Sequence, residues 1–127
     1  MSKEFDVEII SPDNNILSTK AEEIILPCFE GQVTILKDHI SLITFLRPGI
    51  IDVMGGDKFY VEEGTVEFTD NKLLILSSTV QNLNGLQKEK INLMVKDAEQ
   101  KITKNEISDK EKYILSYKIE TLNLINQ

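Results

Sequence analysis

One histidine and one cysteine bound the chemistry open to this chain. His39 lies eleven residues after Cys28, and no second His or Cys stands at ligand spacing from either. A zinc site or a catalytic triad would have to be built on His39 alone. Ser41 is two residues away, but no glycine-flanked nucleophile elbow surrounds it. Gly55-Gly56 falls between strand-like segments, not ahead of a helix, so it is no phosphate-binding loop. Glu22-Glu23 and Glu62-Glu63 are carboxylate pairs, yet neighbours on a strand face opposite ways. As solvated charges they discourage edge pairing. One acid–base pairing stays open, Glu30 with His39. Otherwise the inventory is that of a binding module without cofactor or metal. A single cysteine forms no internal disulfide, which fits a reducing compartment.

These residues must be positioned by a chain with an abrupt change of character. All six glycines and all three prolines lie at or before Gly85, and residues 86–127 contain neither. Tight turns between strands use both residue types, and helix interiors exclude them. Residues 1–85 are therefore expected to form a β-module and residues 86–127 a helical tail. Phe5 to Ile9 alternates apolar and polar, and Ile16-Leu17 begins a short second strand. Ile24-Ile25-Leu26 is a buried strand expected to end at Pro27. Further strands are expected at Gln32–Leu36, within Ile40–Leu46, at Ile50–Met54, and around Tyr60, Glu67 and Leu74. Turn residues recur between them, with Asp70-Asn71 as the last tight turn. This rhythm predicts a flattened antiparallel β-sandwich of short strands.

The tail reads as an antiparallel two-helix hairpin. Asn84 is the expected N-cap of the first helix, with Gln87 in the reciprocal position. Ile91, Met94, Val95, Ala98 and Ile102 form its apolar stripe, and it should stop near Asn105. Ser108 to Glu111 is a capping box that opens the second helix, whose stripe is Leu115, Ile119, Leu122 and Ile125, widened by Ile114, Tyr117 and Leu124. Residues 1–85 hold 14 acids and 6 bases, whereas residues 86–127 hold 7 acids and 8 lysines. The acidic front argues against a nucleic-acid partner. No stretch approaches a membrane span, and the opening residues lack the apolar core of a signal peptide.

Glu30-Gly31, then His39, then Leu46-Arg47-Pro48-Gly49 leading into an apolar strand, resembles the epsilon-subunit family of F-type ATP synthase, equivalent to the mitochondrial delta subunit. The segment Phe59 to Phe68, turning at Gly64, and the strand Leu73 to Ser77 resemble the same family. The order of a sandwich followed by a hairpin matches over the whole length. The resemblance implies a non-catalytic rotor subunit whose sandwich docks beside the gamma subunit and on the c-ring. It implies that Glu30 and His39 face the c-ring, while Gly31, Pro48, Gly49 and Gly64 shape turns. His39 has a competing local reading, as a hydrogen-bonded ring that fixes its own turn.

The resemblance also implies that the hairpin is regulatory, extending towards the alpha and beta catalytic subunits to block ATP hydrolysis. Lys110, Lys112 and Lys118 are its candidate contacts. Leu86, Gln87 and Lys90 stand where ATP-binding members carry a Leu/Ile, an Asp and an Arg. Lysine cannot repeat the forked contact of a guanidinium, so the nucleotide motif is degenerate. The implied location is peripheral, on the cytoplasmic side of the cell inner membrane. An alternative from the residues alone is a free-standing β-sandwich binding module that homodimerises through its hairpin.

Overall fold

The computed structural model describes residues 2–104 and 106–126, and the chain divides into two compact units between Asn84 and Gly85. The first unit is all β: β1 (Phe5–Ile10), β2 (Asn15–Ala21), β3 (Glu23–Cys28), β4 (Gly31–Leu36), β5 (Leu42–Leu46), β6 (Gly49–Val53), β7 (Lys58–Val61), β8 (Gly64–Thr69), β9 (Lys72–Leu76) and β10 (Gln81–Asn82). They form one curled sheet in the order β10-β7-β6-β3-β5-β8-β9-β1-β2, with β4 added on β3. Every pairing is antiparallel except β1 with β9, which run parallel from Asp6↔Lys72 to Ile10↔Leu76.

Alternation explains which residues enter the core. Phe5, Val7 and Ile9 of β1 are buried while Glu8 between them is exposed. The same period buries Val66 and Phe68 on β8, and Leu73 and Ile75 on β9. Phe68 meets Phe5 edge-to-face at 5.6 Å between ring centroids. The turn Asp70-Asn71 has φ of 48° and 59°, the left-handed geometry that a two-residue hairpin requires. Gly64 is fixed by close approach, because a Cβ there would lie 2.6 Å from the Leu76 carbonyl oxygen. At Gly49 a Cβ would overlap the Pro27 ring.

Two expectations are corrected here. β3 does not end at Pro27; it continues to Cys28, with Pro27 opposite Gln32 in the β4 register. Proline lacks only a donor, and the Pro27 carbonyl still accepts from the Arg47 N–H at 3.0 Å. Nor does Asn84 cap a helix. Leu83–Gly85 is a 3₁₀ turn, and the Asn84 side-chain amide points to Asp57.

The second unit contains α1 (Lys88–Ile102) and α2 (Asp109–Ile125). The N-cap of α1 is Gln87, whose side chain makes no capping hydrogen bond. The helix ends with Thr103 as C-cap, so the stop expected near Asn105 falls on a residue outside the described set. Ser108 does cap α2, its hydroxyl accepting from the Glu111 N–H at 3.1 Å. Ile91 and Ala98 of α1 and Leu122 of α2 are buried, whereas Leu124 is exposed. Asn126 donates to Asn92 at 2.7 Å, tying the end of α2 to the start of α1 as an antiparallel hairpin requires.

Phe68 is the central test of the β-unit. Phe68→Ala is expected to cost about 3–5 kcal/mol, read as a lowered urea midpoint. Cys28 supplies a second test. Burial, with the Glu30 charge adding to it, pushes its thiol up to about 11 from an ordinary value of 9.0. The unfolded chain therefore releases this proton first as pH rises, and the folded state binds more protons between about 9 and about 11. Stability should fall through that window more steeply in the native sequence than in Cys28→Ala, as measured by denaturation at a series of pH values.

Candidate functional site

Thr44 and Glu30 are joined across the sheet. Glu30 sits in the turn between β3 and β4, where the N–H of its neighbour Phe29 donates to the Phe45 carbonyl. The Thr44 hydroxyl lies 2.5 and 2.7 Å from the two Glu30 carboxylate oxygens. Thr44 is buried in the middle of β5, so a polar side chain on the inner face is satisfied by an acid from a neighbouring turn. This contact fixes the direction of the Glu30 carboxylate and links the turn to β5.

His39 is held by its own turn. Its N–H donates to the Leu36 carbonyl at 3.1 Å, and its Nδ1 lies 2.7 Å from the Ile40 carbonyl oxygen. A carbonyl only accepts, so Nδ1 carries the proton. The ring stands edge-on to Phe68, 5.9 Å between centroids. The preceding Asp38 has φ of 67° and is clasped by Asn71: the Asp38 N–H donates to Asn71 Oδ1 at 2.6 Å and Asn71 Nδ2 donates back to Asp38 Oδ1 at 2.9 Å. Asn71 also accepts at its carbonyl from the Asp6 N–H. The clasp anchors the His39 turn to the β8–β9 turn and to β1.

Glu30 and His39 stand beyond opposite ends of β4, whose six residues span about 20 Å. The acid–base pairing left open by the sequence is thereby removed. Ser41 faces Thr69 at 3.4 Å. The carboxylate pairs are likewise separated: Glu62 receives the Tyr60 hydroxyl at 3.0 Å, while Glu63 offers its main-chain carbonyl to Ser77. Among the described residues, no three His, Cys, Asp or Glu side chains form a cluster that could hold a metal.

Of the turn residues, Gly31 has φ of 131° and opens β4, and the Pro48 carbonyl accepts from Arg47 at 2.9 Å. Gly49 and Gly64 are sites of close packing. The three lysines of α2 do not form one face: at 3.6 residues per turn, Lys110 and Lys112 point to nearly opposite sides, with Lys118 between. Leu86 is half-buried, Gln87 is the N-cap and Lys90 is exposed in the first turn of α1.

Sequence reasoning missed the outer face of β5. Leu42, Thr44 and Leu46 face inward, which turns Ile43 and Phe45 to solvent, 75% and 58% exposed. Ile43 pairs with Glu67 of β8 and then Leu74 of β9; Phe45 pairs with Thr65 and then Leu76, itself exposed. The result is a strip over three strands, apolar on β5 and β9 with Thr65 and Glu67 of β8 between them. It meets an open groove of about 770 Å³ whose lining includes Glu67, Leu74, Lys72 and the Asp6–Lys20 ion pair. The signal was Thr44, a polar residue inside an apolar run, which marks a strand with apolar side chains on both faces. Exposed apolar strips of this kind mark surfaces covered by a partner.

Comparison with known proteins agrees with this architecture. The family model for the ATP synthase delta/epsilon chain β-sandwich domain matches residues 4–82. The ATP synthase epsilon chain of Pelagibacter ubique is 42% identical over 99% of this chain and 100% of its own length. That of Aquifex aeolicus is 37% identical over 63% of this chain and 62% of its own. Among solved structures, a chain of the Euglena gracilis mitochondrial ATP synthase OSCP/F1/c-ring assembly superposes with a TM-score of 0.81 at 20% identity, covering 100% of this chain and 84% of that one. A chain of the Tetrahymena thermophila mitochondrial ATP synthase central stalk/c-ring gives 0.62 at 15% identity, over 96% of each. A matched sandwich domain, a full-length relative and a shared fold together make this chain a member of the ATP synthase delta/epsilon chain family.

Proposed function

We propose that this chain is a non-catalytic central-stalk subunit of a proton-translocating F-type ATP synthase, in which the sandwich (residues 1–85) joins the gamma subunit to the c-ring and the hairpin (residues 86–127) regulates. The full-length likeness to an epsilon chain supports the reading, as does the setting of the two structural relatives in assemblies with a c-ring. The observation that carries it is the apolar strip of Ile43 and Phe45 on a rigid sheet. A rotor component must transmit torque without yielding, and a close-packed sheet resists deformation. Gamma would cover the strip, while Glu30 and His39 would meet polar loops of the c-ring. A polar contact there sets register more than affinity. Among the described residues, no helix is long and apolar enough to cross a membrane. Attachment on the cytoplasmic side of the inner membrane would therefore run through these partners.

The hairpin is proposed as a weak inhibitor of hydrolysis. Its three candidate lysines diverge around α2, so they cannot present one basic face to acidic loops of the alpha and beta subunits. Gln87 and Lys90 lack the acid and the guanidinium of the nucleotide motif. Exposed Leu93 and Leu124 on the hairpin favour the rival reading, a homodimer formed through the helices.

Ile43→Asp with Phe45→Asp is the direct test, since both side chains are exposed and the fold should survive. Copurification with gamma should be lost while the thermal midpoint stays near that of the native protein. Unchanged gamma binding by the double variant would move the gamma contact off the strip, whereas failure of the native protein to bind gamma, or a dimer indifferent to gamma in size-exclusion mass measurement, overturns the rotor reading. Truncation after Gly85 should raise ATPase activity of the reconstituted complex by less than about fivefold, the low end of ordinary allosteric coupling. A larger rise with coupling intact would contradict weak inhibition.

A further inference from the structure

Asn84-Gly85 is the one Asn-Gly dipeptide in the sequence. Both residues are exposed, and the bond between them is where the chain passes from one compact unit to the other. They close the isolated 3₁₀ turn Leu83–Gly85, an element with poor hydrogen-bond geometry that opens at little cost. Asn84 Nδ2 reaches Asp57 Oδ1 at a long 3.4 Å. Gly85 carries no Cβ to obstruct an approach to its nitrogen.

We propose that Asn84 is a site of spontaneous covalent modification, where the linker ages by backbone-assisted deamidation. The main-chain nitrogen of Gly85 attacks the side-chain carbonyl carbon of Asn84. A bond forms between Gly85 N and Asn84 Cγ, the Cγ–Nδ2 bond breaks, and the Gly85 amide proton leaves with Nδ2 as ammonia. Water then opens the cyclic imide. Opening at Cγ gives aspartate; opening at the main-chain carbonyl gives isoaspartate, with one more methylene in the backbone. Either product puts a carboxylate opposite Asp57, which loses its Asn84 donor and keeps that of Asn82 at 3.0 Å, so the 3₁₀ turn is less well held. Asn71, Asn92 and Asn126 are better protected. Asn71 has both side-chain amide atoms bound to Asp38 and is followed by Lys72, while Asn92 and Asn126 are bonded to each other. The proposal does not depend on the rotor reading.

The test is incubation of the full-length protein in mildly alkaline buffer, followed by peptide mapping by mass spectrometry. A gain of about 1 Da should appear at Asn84 before any other asparagine. Gly85→Ala should slow it by about tenfold, because a Cβ restricts the approach of the nitrogen. That variant should fold normally, since nothing lies within 4 Å of the added Cβ and Gly85 is not among the positive-φ glycines. No gain at Asn84, an earlier gain at another asparagine, or an equal rate in Gly85→Ala would overturn the proposal. Limited proteolysis of the aged protein should cut faster at the junction than in Asn84→Gln held for the same time.

Discussion

The parallel pairing of β1 with β9 is the constraint on which the β-unit depends. It brings the first strand beside the last long one, after more than sixty residues of intervening chain, and curls the sheet round a single core. Hydrogen bonds finish the seam at both ends: Asp6 N–H to the Asn71 carbonyl, and Ser77 N–H to the Ile10 carbonyl. Phe5 meets Phe68 because of it, and Phe68 in turn supports the His39 ring. Pairings so distant in sequence carry a loop-closure cost before they contribute, so this unit should fold more slowly than a helical domain of its size.

With the seam closed, β5 and β9, on either side of β8, display apolar side chains that the unit does not bury. Ile43, Phe45 and Leu76 stay in water, which a monomer of this size has no reason to favour. Residues 1–85 carry 14 acids against 6 bases, so two such faces repel before they meet. Self-association is discouraged, and a partner of the opposite sign is not. Glu67 lies inside the strip and Thr44 immediately behind it, with the Glu30 carboxylate held on the Thr44 hydroxyl. The strip and the β3–β4 turn thus share one strand, β5.

The hairpin follows different physics. Its helices bury few residues, chiefly Ile91, Ala98, Thr121 and Leu122, and its surface mixes both charges. Short helices draw most of their stability from packing, so a pair with so little buried surface responds readily to what it touches. That property sets the hairpin apart from a sheet curled round one core.

Period and punctuation were legible in the residues themselves. Alternation at Phe5, Val7 and Ile9, the left-handed turn at Asp70-Asn71, the capping box at Ser108, and the change of composition at Gly85 are local properties, so the chain alone determined most strands and both helices. Pro27 and Asn84 misled because local propensity yields to neighbours: β4 carries the ladder past the proline, and Asp57 draws the asparagine away from the helix. The apolar strip, the Asp38–Asn71 clasp and the separation of Glu30 from His39 were decided only in three dimensions. Each depends on which strands lie side by side and in what register, and pairing between distant segments leaves no mark in the spacing of a single chain.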